Sequence, residues 1–188
     1  MADDMTYRRE TGAGANPMSL RRRVALILIL IVDVGLIAWG AGAAAFLDHL
    51  LGPGGKTILP AAYEGFSKGS WSDLVKTAPM AASYMSVLYR TYGMYNVALG
   101  LTATIIAATA FRRGDRWAWW ALLAGNTIAL VSAIAYDRIV NAIGPFELTE
   151  YLGLAMVWGA CAVTAPFLAA GRAQEGASRA APSPSGGG

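Results

Sequence analysis

Asp33 is the one charged residue in an apolar run covering residues 24–46. A carboxyl group in that setting must face other helices and be either paired or protonated. Two more polar side chains fall at its depth. Counting inward from Val24, Phe111 and Trp117, residues Asp33, Thr102 and Asn126 each lie nine positions in, roughly 14 Å at 1.5 Å per residue. One acid in such a layer suits two roles. It can hydrogen-bond to Asn126 or Thr102 and fix helix register, or it can relay a proton or cation. Gly40, Ala44 and Asp48 follow Asp33 on one helical face, and small residues let helices approach closely.

A second group gathers at the opposite helix ends. Arg90, Asp137 and Glu150 each come out roughly 30 Å from the first ends, and Asp48 with His49 closes the first run at that level. Arginine does not lose its proton, so out of water it needs a carboxylate or carbonyls, and pairing with Glu150 or Asp137 is expected. Tyr89, Gly93, Asn96 and Gly100 draw a stripe beneath Arg90 at spacings of 4, 3 and 4. That stripe serves helix packing. Together with Arg90 it also outlines an outward-facing ligand pocket built from Tyr89, Arg90, Asn96, Asp137 and Glu150. An anionic headgroup or a quinone carbonyl would meet the arginine there.

Other chemistry is missing its parts. Residues 52–57 imitate a phosphate loop, yet Leu50 stands where the first glycine is required. A single histidine, His49, and a single cysteine, Cys161, make neither a zinc site nor a bis-histidine haem site. No serine sits in a nucleophile elbow, and no carboxylate pair flanks a cleft. No catalytic residues, metal or cofactor are expected, and the protein is not read as an enzyme.

The elements that must position these residues follow from composition. Of 188 residues, 55% are hydrophobic and 14% charged, with a mean hydropathy of +0.43, against about 25% charged in soluble domains. Four apolar segments, about 24–46, 80–111, 117–136 and 148–170, are long enough to cross a bilayer. The fold class is all-α, an integral membrane four-helix bundle occupying residues 21–171. Residues 1–20 and 172–188 read as disordered tails. Residues 47–79 form a long extracytoplasmic loop in which Trp71, Leu74 and Val75, interleaved with polar residues, suggest a short interfacial helix. Pro79 would open the second long helix. The first run also sketches a signal peptide, but its length and internal acid favour a retained anchor.

Basic residues set the orientation. Ten of the fifteen lysines and arginines fall on the side of the N-terminus and five on the other, placing both termini in the cytoplasm. Trp117, Trp119 and Trp120 would then lie at the inner interface. With the basic residues so dispersed, the net charge of +3 gives no reason to expect a nucleic-acid partner.

From Tyr89 to Glu150 the chain resembles the small four-helix bacterial membrane proteins grouped as DoxX-like. The resemblance is carried by Arg90, Gly93 and Gly100, and by the run from Arg112 through Gly114, Asp115 and Trp117 to Trp120. It covers about a third of the chain. It implies a multi-pass protein of the bacterial plasma membrane, in a group linked to thiol and quinone redox systems; this chain has no thiol pair. The leading expectation is an accessory or scaffold subunit of a membrane complex, with a protein partner or a second copy. The alternatives are binding or transport of a small hydrophobic molecule, lipid or quinone near Arg90, and proton-coupled transport through Asp33.

Overall fold

The computed structural model describes residues 18–52, 55–141 and 145–180. The chain begins its first helix, α1 (Leu20–Ala45), at Ser19, whose hydroxyl accepts the Arg22 N–H at 3.4 Å. A 3-10 turn (Leu47–His49) and two short helices, α2 (Ile58–Ser67) and α3 (Trp71–Thr77), lead to α4 (Pro79–Ile106). Pro79 does open α4, where a missing N–H costs nothing. One π-helical turn (Ala107–Phe111) carries α4 to its end. There Gly114, at φ +92°, takes the left-handed conformation that a side chain disfavours and lets the chain reverse into α5 (Arg116–Val140). The last helix is α6 (Pro145–Ala180).

Four of these helices are long and apolar enough to cross a membrane: Leu20–Ala45, Pro79–Phe111, Arg116–Val140 and Leu148–Pro166. Among the described residues there is no strand, only an isolated bridge between Leu51 and Thr57.

Three expectations need correction. The third long helix runs one turn past Tyr136, because Asn141 supplies the left-handed cap (φ 51°) that ends it. The backbone of 172–180 is helical where a tail was expected; alanine, glutamine, glutamate and arginine in that stretch are strong helix formers. Trp119 is buried in the core and so does not face outward as an interface anchor would. Its indole N–H reaches the Cys161 carbonyl at 3.0 Å and the Thr164 hydroxyl at 3.1 Å, while Trp117 and Trp120 are the exposed pair. The remaining tail residues, 1–17 and 181–188, lie outside the described residues.

Helix α1 is central, packed against α4 and α6, and its contact with α4 is the most extensive in the molecule. Glycines make it so. A Cβ on Gly40 would stand 2.5 Å from the Gly93 carbonyl oxygen, and one on Gly93 would stand 2.6 Å from that of Gly40. Further along, a Cβ on Gly100 would lie 2.7 Å from the Asp33 carbonyl oxygen. The two backbones therefore touch along several turns, as small-residue interfaces permit. Ile29, Leu122 and Val157 are among the buried side chains of a core that α1, α4, α5 and α6 share.

The α1–α4 connection is folded, not open loop. Gly65 of α2 sits against the Val140 carbonyl oxygen at the end of α5. Lys56 pairs with Glu64, whose other oxygen accepts the Trp71 N–H at 3.1 Å, and the Tyr63 and Trp71 rings meet edge-on at 5.6 Å. The short helix expected around Trp71 is α3; α2 was not foreseen.

Two outcomes are expected. Gly40→Ala should cost about 1–3 kcal/mol in a detergent unfolding assay, since overpacking forces the backbones apart. Gly125→Ala should stay near zero, because nothing lies within 4 Å of its added Cβ. The Lys56 and Trp71 bonds hold the Glu64 carboxyl below its ordinary range. A depressed folded value means stabilisation that is present above the ordinary value and lost as pH falls. Amide-exchange protection of residues 58–77 should therefore drop on acidification, and Glu64→Gln should remove that pH dependence.

Candidate functional site

A cavity of about 590 Å³ lies between α1, α2, α4, α5 and α6, in the half of the bundle that carries α2. That volume suits a drug-sized ligand. Its existence follows from the small residues facing it: Gly35, Ala38 and Gly42 of α1, Ala129 and Ala133 of α5, and Gly153 of α6. Leu36, Leu130 and Met156 make an apolar body, while Ile58 and Ala62 of α2 roof it. Ile31 of α1 and Leu152 of α6 both line the cavity and remain more than half exposed (55% and 59%). The cavity therefore reaches the apolar outer face of the bundle.

Polar groups converge on this space from three helices: Tyr89, Tyr92 and Asn96 from α4, Tyr136 and Asp137 from α5, Thr149 and Glu150 from α6. Asn96 is buried, and its amide donates to the Tyr92 carbonyl at 3.2 Å. The Tyr89 and Tyr92 rings meet edge-on at 6.2 Å. Tyr89 lies within the electrostatic reach of Tyr136, Asp137 and Glu150, so the polar groups form one cluster. Among the described residues lining the cavity there is no lysine, arginine or histidine.

Four of the five expected ligand-site residues, Tyr89, Asn96, Asp137 and Glu150, thus line one cavity; Arg90 does not. Arg90 does not pair with Glu150 or Asp137 as expected but turns to the end of α1. There its guanidinium bonds the Asp48 carboxylate at 2.8 Å and the Ala44 and Ala45 carbonyls at 2.8 and 3.4 Å. The cause is local. The last turn of a helix leaves carbonyls without partners and carries partial negative charge, which attracts a cation. Close contact at Gly40 and Gly93 brings that helix end within reach of Arg90.

The polar layer expected at mid-bundle is reduced to a pair. Asp33 and Asn126 are both buried and face each other across α1 and α5. Neither carboxyl oxygen and neither amide atom closes a well-formed hydrogen bond. Thr102 is not part of the layer. It lies on the exposed side of α4 and returns its hydroxyl to the Ala98 carbonyl at 2.8 Å, a common way for a helical threonine to satisfy itself. The faces of Gly93, Asn96, Gly100 and Ala103 turn inward instead.

Trp39, Tyr92, Tyr136 and Thr149 are lining residues that sequence reasoning passed over. A signal existed for Tyr136, which continues the period of Ala129 and Ala133 on α5. The described residues contain no cluster of three or more His, Cys, Asp or Glu side chains suited to a metal ion. No family model matches the chain, and no curated protein or solved structure matches it.

For the buried pair, Asp33→Asn should leave stability within about 1 kcal/mol of the parent or raise it, since it keeps the shape and removes an ionisable group. Asp33→Ala, which opens a void beside a buried amide, should cost about 1–3 kcal/mol in the same unfolding assay. A large loss in Asp33→Asn would mean that the carboxyl has a partner on which the fold relies.

Proposed function

We propose that this chain is a multi-pass membrane protein that binds a small hydrophobic molecule in the cavity between α1, α4, α5 and α6. The observation that carries the reading is the cavity itself: an apolar chamber that reaches the apolar outer face, with a polar cluster at one end. Binding sites for small molecules are mostly apolar with a few converging polar groups. A ligand dissolved in the bilayer would reach this one without crossing water. The surplus of arginine and lysine on the N-terminal side supports termini in the cytoplasm and a bacterial plasma-membrane setting, in line with the DoxX-like resemblance. A purely scaffolding subunit has no use for such a chamber, which is why binding is preferred over that role.

Arg90 has no part in this reading, because it caps α1. The test is a fluorescence titration of the protein in lipid nanodiscs with the neutral lipophile N-phenyl-1-naphthylamine, empty nanodiscs being subtracted. Saturable binding near one molecule per chain is expected. Ala133→Phe, which pushes a ring into the chamber, should weaken it about tenfold or more. Arg90→Ala should leave it within about twofold. Binding that does not saturate, or that survives Ala133→Phe unchanged, contradicts the proposal.

A further inference from the structure

We infer that the end of the bundle where α1 and α5 begin binds the headgroup of an anionic phospholipid, on a patch formed by Arg21, Arg23 and Arg116. The inference rests on the membrane-spanning reading and is independent of the cavity. Two basic runs far apart in sequence, 21–23 and 112–116, come together here. They meet at Gly114. A Cβ there would stand 3.3 Å from both terminal nitrogens of Arg22, so that guanidinium lies on the turn between α4 and α5. Arg21 and Arg23, about 100° to either side of Arg22 around the helix, are exposed, as are Arg112, Arg113 and Arg116. Within 18–32 and 106–125 the only acid is Asp115, which pairs with Arg113 at 3.2 Å.

Helix ends sharpen the charge. The start of a helix carries partial positive charge, which acids in the first turn ordinarily offset. Neither α1 nor α5 has an acid there; the first turn of α1 holds three arginines, and α5 begins with Arg116. Like charges gathered in this way repel one another. A phosphate from outside relieves that repulsion and accepts the N–H groups of the guanidinium forks. Arg112 and Arg113 differ, because they follow the carbonyl end of α4, which itself suits a cation. The neighbouring indoles favour a lipid over a soluble anion. Trp117 and Trp120, beside Arg116 and one turn beyond it, are 57% and 58% exposed. Such rings settle at the headgroup level of a bilayer, with an apolar body for the acyl chains and an N–H for the polar layer.

The test is native mass spectrometry of the full-length protein in mild detergent, with dimyristoyl phosphatidylglycerol and dimyristoyl phosphatidylcholine competing in one sample. The phosphatidylglycerol should bind about fivefold tighter or more. In the triple variant Arg21→Gln, Arg23→Gln, Arg116→Gln that preference should shrink to about twofold or less, while Lys68→Gln, Lys76→Gln in the α1–α4 connection should keep it. Asp115→Asn, which removes the one acid of the turn and keeps a capping side chain, should raise the preference about twofold or more, a gain that misfolding would not produce. Equal binding of the two lipids by the parent overturns the inference. A triple variant that keeps the full preference overturns the assignment to these arginines, as does a loss in the lysine variant, which would mean that net charge alone decides. A preference that Asp115→Asn leaves unchanged or lowers contradicts the local electrostatic argument. If millimolar inorganic phosphate abolishes the preference, the patch takes a free anion and the assignment to a lipid falls.

Discussion

The backbone contact between Gly40 of α1 and Gly93 of α4 is the constraint from which the other features follow. Each glycine occupies the space a Cβ on the other helix would need, so the two helices lie as close as backbones allow. Dispersion between tightly packed atoms is an important source of helix association where water is absent, and glycine maximises it. The contact continues to Gly100 against Asp33, holding α1 and α4 as a unit over much of their length.

That unit decides where charge goes. With α4 drawn against α1, Arg90 lands beside the last carbonyls of α1 and beside Asp48. The charge of Arg90 thereby serves a helix end. On the other side of α1 the small residues of α5 and α6 leave room, and the polar groups of α4, α5 and α6 turn into it. Close packing on one flank of a helix and open space on the other thus come from the same class of residue. Glycine and alanine fill an interface when a partner backbone arrives and line a cavity when none does.

This ambiguity explains what was legible in the sequence. Four long apolar helices could be read from run length, and Pro79 from its position. The stripe of Tyr89, Gly93, Asn96 and Gly100 was visible as a helical period, yet its division into packing and lining residues was not. Gly93 and Gly100 meet α1, whereas Tyr89 and Asn96 reach the cavity. Depth counting placed Asp33, Asn126 and Thr102 at one level, but depth says nothing about which way a side chain points. Thr102 faces out. The partner of Arg90 was missed for a related reason, since charge complementarity names candidate acids while helix contacts choose among them. Helix α2 was hidden by the surrounding glycines and prolines; its closure depends on Lys56, Glu64 and Trp71, which come together only in three dimensions.

The central claim is that the chamber beneath α2 holds a bilayer-soluble ligand. Its most direct test is photolabelling in nanodiscs with the neutral carbene source 3-trifluoromethyl-3-phenyldiazirine, the adducts being mapped by mass spectrometry. Adducts should concentrate on lining residues such as Trp39, Tyr89 and Met156 and fade as unlabelled N-phenyl-1-naphthylamine is added. Adducts spread evenly over outward-facing residues such as Ile105, Ile128 and Val163, with no competition, would contradict it.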